Sequence, residues 1–320
     1  MKTARRPTKP TESQIEMLIK DMTLYEKASL LAGSDAWHTV AIERLGIQPV
    51  TMTDGPHGVR ASNQEMGRKV GPTTCFPTGI SMGASWNPEL VEEVGKALGE
   101  ESRAMDCDVL LGPCINIVRG PLGGRNFETF AEDPYLAGRL GVGYVKGVQS
   151  MGVGTSVKHY AVNNQEVERF RSSSNLDERT LREIYLPAFE TIVKEARPWT
   201  VMCSYNRVNG VYASQHSRLL NEILKKEWGF DGVVVSDWGA NHTIIESIQG
   251  GLDLEMPGPA KYYGRLLEEA VMNWQLDEAA VDEAVRRILR LIIRTGKLGN
   301  GRERKAGEVN TAKHQNLARQ

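Results

Sequence analysis

The chain has 320 residues, with 39 Lys and Arg against 40 Asp and Glu, so a net charge of −1 gives no electrostatic case for nucleic acid or an anionic membrane surface as a partner. A small neutral ligand suits that balance better. The four cysteines, Cys75, Cys107, Cys114 and Cys203, show no paired C-x-x-C spacing and are assigned neither metal nor disulfide, while the basic N-terminus MKTARRPTKP lacks a signal peptide's apolar stretch and no run of about 18 apolar residues occurs; the expectation is a soluble, cytoplasmic protein.

Residues 1–12 are polar, proline-containing and expected to be flexible. Ser13 opens a helix to Met22, and a second runs from Tyr25 to Leu31, ended by Gly33. Pro49–Asp54 reads as the first strand, and the short run Ile80–Ala84 counts as the second. Asn87-Pro88 is an N-cap followed by proline at the first helical position, with the helix reaching about Met105. Val109–Pro113 is the third strand; the long segment Asn116–Asp133 then shows no period, and its mixture of Gly, Arg, Asn, Phe and Glu suits a ligand-facing loop. Gly154–Tyr160 is the fourth strand, a helix capped by Asp177 runs to Ala196, and Trp199–Tyr205 is the fifth strand.

After a helix from Ser217 to Trp228 comes Gly232-Val233-Val234-Val235-Ser236-Asp237-Trp238-Gly239. Three consecutive valines cannot alternate between a wet and a dry face, so this strand is buried on both sides, as in a parallel sheet covered by helices. A further helix to about Gln249, a seventh strand at Leu252–Pro257, and helices over about 260–273 and 277–295 complete the pattern. The fold expected is α/β, a (β/α)8 TIM-like barrel over residues 13–300, imperfect or lacking a regular eighth strand.

In such barrels the C-terminal ends of the strands carry the chemistry. Here those ends hold Asp54, Lys158, His159, Tyr205, Asp237 and Trp238, with Arg60 and Arg125 in the loops that follow. Carboxylates and cations can hold sugar hydroxyls by charge-assisted hydrogen bonds, and an indole covers the apolar face of a pyranose. The set has no phosphate-cradling glycine loop, no His-x-His metal spacing and no nucleophilic Ser elbow. For His159 a plainly structural role, a buried imidazole bonded to backbone, stays open.

The motifs Thr53-Asp54-Gly55-Pro56 with Arg60, Pro121-Leu122-Gly123-Gly124-Arg125-Asn126-Phe127-Glu128, Glu132-Asp133-Pro134, Lys158-His159-Tyr160, Met202-Cys203-Ser204-Tyr205-Asn206 and Val235-Ser236-Asp237-Trp238 resemble, in this order, the catalytic barrel of glycoside hydrolase family 3, in its β-glucosidase branch. The resemblance implies a retaining, exo-acting glycosidase with Asp237 as the nucleophile. It further implies Asp54, Arg60, Arg125, Lys158, His159, Met202, Tyr205 and Trp238 around the innermost sugar, a β-glucoside or oligosaccharide as partner, and no metal or organic cofactor. β-Xylose and β-galactose are the competing glycones.

The two-domain members carry their general acid, usually a Glu, on a second α/β domain, and residues 301–320 resemble the linker and the first helix of that domain in a longer parent chain. Without the partner domain this tail is expected to be mobile. The β-N-acetylhexosaminidase branch instead places a His-based acid after Lys-His-Phe, whereas Lys158-His159-Tyr160 is followed here by Ala161-Val162-Asn163-Asn164-Gln165. Glu128 and Glu166 remain as substitute acids within the barrel. Two readings from other classes stand beside the glycosidase: a class I aldolase with Lys158 as Schiff base, which would want a desolvated amine without a second cation beside it, and a non-catalytic or impaired sugar-binding barrel fragment.

Overall fold

The computed structural model describes residues 12–60, 72–299 and 306–320. Five parallel strands lie side by side in chain order: β1 (Met52–Thr53), β2 (Val109–Leu110), β3 (Gly154–Tyr160), β4 (Thr200–Cys203) and β5 (Val233–Ser236). Every residue in them is buried, the consequence of helices outside and packed side chains inside.

The sheet curls towards closure through irregular pieces. Val235 bridges Leu254 in parallel, Glu255 bridges Ala32, and the chain then doubles back so that His38 bridges Thr51 antiparallel, just before β1. The imperfect barrel read from the sequence is therefore found, with Leu252–Pro257 supplying single bridges to both neighbours in place of a regular strand.

Local chemistry explains most helix starts. Thr23 forms a capping box with Glu26, Asn87 accepts from the Leu90 N–H with Pro88 behind it, and Asp277 caps Glu278–Thr295. Ile80–Ala84, expected as a strand, is instead part of a helix, Gly79–Ala84. Gly79 and Gly83 stand one turn apart on the face pressed against the chain at 128–130, where a Cβ would come within 2.3 Å of the Glu128 carbonyl oxygen and 1.9 Å of that of Phe130. Such close approach needs two glycines on one helical face, a spacing that a strand would not satisfy.

The helix Pro134–Ser150 has the same opening as the one at Asn87-Pro88, with Asp133 accepting from the Leu136 N–H, yet its four glycines hide it from a propensity reading. They are contacts: a Cβ at Gly143 or Gly147 would meet the carbonyl oxygens of Pro88 and Glu92 at 2.4 and 2.2 Å, so the two long helices touch backbone to backbone.

Behind β5 lies a buried ion pair. Lys225 Nζ donates to Asp253 Oδ1 at 2.6 Å and to the Gly251 carbonyl at 2.7 Å, while Asp253 Oδ2 accepts from the Val234 N–H at 2.8 Å. Removing one member strands the other charge in the core, so Asp253→Ala is expected to destabilise the fold by about 3–5 kcal/mol in urea unfolding, and the double variant Lys225→Met/Asp253→Leu by much less.

The tail departs from expectation. Residues 312–317 form a helix capped by Thr311, and His314 is buried against the helix Pro88–Ala104, so the described residues 306–320 are packed on the barrel's outside. A buried Glu101 at that place supplies the anchor that no pattern in the tail itself could announce.

Candidate functional site

A cavity of about 640 Å³ opens at the C-terminal ends of the strands. Asp54, Arg60, Arg125, Lys158, His159, Met202, Tyr205, Asp237 and Trp238 all line it, so the nucleophile and sugar-binding candidates read from the sequence come to one place. Its wall also includes Trp37, His57, Phe127, Glu128 and Arg169.

Strand geometry puts these side chains there. Lys158 and His159 are neighbours, and in a regular strand they would point to opposite faces. The register between β3 and β4 slips between Val157 and Tyr160, where three steps on β3 match two on β4. A bulge of this kind re-aims side chains, and both residues line the cavity.

Lys158 is the electrostatic centre. Its side chain is only 4% exposed, and its ammonium donates to Asp54 Oδ1 at 2.8 Å and lies 3.7 Å from Glu128 Oε1. Burial alone would lower its pKa, but Asp54 and Glu128 more than offset that and raise it. A Schiff-base lysine must be a neutral amine, so this geometry removes the aldolase reading.

Asp54 also accepts from Arg60 at 3.2 Å, a contact at the rim, where the Arg60 side chain is 72% exposed. Burial acts on the Asp54 carboxyl first, but Lys158, then the Gly55 N–H and Arg60 carry the balance and hold it below its usual range. Glu128 is treated likewise: burial opposes ionisation, yet the Arg125 Nε at 2.5 Å and Lys158 lower its pKa. Neither carboxyl is a proton donor near neutral pH.

Asp237 follows β5 and is enclosed. One carboxylate oxygen accepts from the Trp238 N–H at 2.8 Å; the other lies 3.5 Å from His159 Nε2 and has no hydrogen-bond partner among the described residues. Burial raises its pKa above the ordinary 3.8, with Lys158, the Trp238 N–H, Arg125 and Tyr205 pulling it back. It is the least satisfied carboxylate of the three in the cavity.

His159 lines the cavity and is held in place by Asn116. Its backbone N–H donates to Asn116 Oδ1 at 2.8 Å, and Nδ1 lies 3.1 Å from the same oxygen, which fixes Nδ1 as the protonated nitrogen. Burial, then Arg125, Lys158 and Arg169, push its pKa well below 6.5, so the ring is neutral.

The aromatic side is built from both ends of the chain. The Trp238 indole N–H donates to the Ala36 carbonyl at 2.8 Å, and its ring centroid lies 5.6 Å from that of Trp37. Tyr205 donates its hydroxyl to the Trp238 carbonyl at 3.0 Å, while the Arg169 guanidinium sits 4.7 Å above the Tyr205 ring. Trp37, Asn116 and Arg169 were not singled out in the sequence. Trp37 lies in the reversed closing segment and Arg169 in the polar loop after β3, neither of which has a period to mark a strand end. Glu166, the other substitute acid, is ion-paired with Arg169 at 3.0 Å and lies outside the main cavity. Among the described residues no group of His, Cys, Asp and Glu side chains is placed to hold a metal ion.

Comparison with known proteins agrees with the motifs. Residues 35–291 match the glycosyl hydrolase family 3 N-terminal domain. The chain belongs to this family. It is similar to thermostable beta-glucosidase B of Acetivibrio thermocellus, with 49% identity over 96% of this chain and 40% of that protein. An exo-alpha-(1->6)-L-arabinopyranosidase of Bifidobacterium longum is 50% identical over 87% of this chain and 37% of its own length. The crystal structure of the family's β-glucosidase from Bifidobacterium adolescentis superposes with a TM-score of 0.86 at 45% identity, covering 97% of this chain and 43% of that one. The chain thus spans about two-fifths of the relatives that it matches.

Proposed function

We propose that this family 3 barrel is the glycone-binding and nucleophile-bearing part of a retaining, exo-acting β-glucosidase. The observation that carries the reading is Asp237, a buried, half-satisfied carboxylate set among cations in a cavity large enough for a sugar. Asp54 and Lys158, already joined at 2.8 Å, form a donor-acceptor pair for two adjacent hydroxyls. Trp238 offers an indole face for the sugar's C–H side.

In the first step Asp237 attacks the anomeric carbon as the bond to the leaving oxygen breaks, giving a glycosyl ester; in the second, water cleaves that ester and returns the carboxylate. Arg125 and Lys158 favour the ionised Asp237 that the first step requires. Incubation with 2-deoxy-2-fluoro-β-glucosyl fluoride is expected to add one fluoroglucosyl mass to the protein, on the peptide containing Asp237. A label elsewhere would overturn the nucleophile assignment.

The arabinopyranosidase relative favours a second reading of the glycone. α-L-Arabinopyranose has the ring configuration of β-D-galactose without the hydroxymethyl group, so the two readings differ in one axial hydroxyl and one side arm. Initial rates on nitrophenyl β-glucoside, β-xyloside, β-galactoside and α-L-arabinopyranoside separate them, with the glucoside expected to be fastest.

A further inference from the structure

Glu101 lies on the helix Pro88–Ala104, outside the cavity, and is fully buried. Its carboxylate accepts four hydrogen bonds from two separate parts of the chain. Thr74 gives its N–H at 2.9 Å and its hydroxyl at 2.7 Å; the Asn310 N–H and His314 Nδ1, both from the C-terminal segment, each lie 2.9 Å away. A carboxylate so deeply placed is tolerated only because its lone pairs are taken up.

Thr74 belongs to the cavity wall, with Thr73 and Cys75 beside it. That wall is stitched to the chain after β1: the Thr73 hydroxyl donates to the Val59 carbonyl at 2.8 Å and the Phe76 N–H to the His57 carbonyl at 2.7 Å. The Arg60 N–H in turn donates to the Asp54 carbonyl at 2.9 Å. A path of hydrogen bonds and adjoining peptide units therefore runs from His314 through Glu101, Thr74 and Thr73 to the backbone that carries Asp54 and Arg60. The C-terminal segment is seated tightly, since a Cβ at Gly307 would come 2.0 Å from the Glu100 carbonyl oxygen.

We propose that Glu101 is a positioning residue for sugar binding and that the segment 306–320, docked on it through His314 and Asn310, sets the affinity of the cavity. What the cavity binds rests on the glycosidase reading; the ordering of its wall by Glu101 and the C-terminal segment does not. Asp237 follows β5 and is not on this path, so loosening the anchor raises KM and leaves kcat nearly unchanged.

The test uses the 320-residue chain with Glu101→Ala and, separately, His314→Ala. Loss of a buried charged hydrogen-bond hub is expected to raise KM for an aryl glycoside about tenfold in Glu101→Ala and about threefold in His314→Ala, with kcat within about twofold. A second readout is independent of any activity. Cys75 is the exposed one of the four thiols and lies on the wall, whereas Cys107, Cys114 and Cys203 are buried, so its rate of reaction with an aromatic disulfide reports the wall's order. That rate is expected to rise about threefold or more in both variants while the other three thiols stay unreactive. If Glu101→Ala exposes all four thiols, His314→Ala, which leaves both Thr74 bonds in place, decides. Unchanged Cys75 reactivity in a folded variant overturns the inference whatever the activity shows; faster Cys75 reaction with no turnover of any glycoside would sink the glycosidase reading and spare this one. A fall in kcat equal to the rise in KM would also overturn it.

Discussion

Asp237→Gly is expected to lower hydrolysis of nitrophenyl β-glucoside by a factor on the order of 10⁴–10⁶, the scale seen when the covalent nucleophile of an enzyme is removed, while leaving binding of the sugar within a few-fold. The separation follows from geometry. Asp54 is paired with Lys158, and Arg125 and Lys158 share Glu128, so their positions do not depend on Asp237. The glycine also opens room beside the anomeric carbon. Azide placed there can displace the nitrophenolate directly, so added azide is expected to restore turnover and to give the α-glucosyl azide, inverted relative to the substrate. Recovery of the β-azide from this variant, or full activity without azide, would show that another group is the nucleophile.

How far the sequence carried this site depended on the kind of position. Asp54 and Asp237 could be found because each ends a short apolar run at a glycine, a pattern that survives without any tertiary information. Trp37 and Asn116 could not. Trp37 sits in a segment that becomes part of the barrel only by pairing with both 50–51, nearby in the chain, and 255, far along it. Asn116 earns its role through two bonds to His159 across 43 positions. The bulge in β3 is equally silent, since it arises from register against β4.

The same limit governed the helices. Asn87-Pro88 and Asp133-Pro134 carry one signal, but the second was masked by glycines whose purpose is visible only with the partner helix in place. Glu128 shows the converse: the sequence allows it as a substitute acid, and only its pairing with Arg125 and Lys158 reveals an ionised group that orients two cations. The tail's anchor, finally, is one buried carboxylate on a helix more than 200 residues earlier in the chain.

The state of these carboxylates leads to the other large effect. A general acid must be protonated at the working pH, and such residues have raised pKa values. Among the described residues lining the cavity, Asp54 and Glu128 are both held below the usual range by Lys158 and their arginines, His57 and His159 are shifted down and neutral, and the Tyr205 hydroxyl is shifted up. By the direction of these shifts, none of these described groups is matched to hand a proton to a departing oxygen near neutral pH. Protonation of the leaving group contributes about 10²–10⁴ in rate, and it matters most for poor leaving groups such as a sugar alkoxide; a nitrophenolate scarcely needs it. The 320-residue chain is therefore expected to hydrolyse nitrophenyl β-glucoside slowly and cellobiose slower again by about that factor. Its kcat/KM should rise once as Asp237 ionises, at a pH above the ordinary 3.8 because burial raises that group. No alkaline limb should follow near neutrality, since Lys158 stays charged to higher pH than an ordinary lysine. Azide should accelerate breakdown of the glycosyl ester and yield the β-glucosyl azide, the opposite anomer to that from Asp237→Gly. Efficient cellobiose cleavage with a bell-shaped pH profile would contradict this and send the search for an acid to Glu166, whose partner Arg169 could swing away when substrate binds.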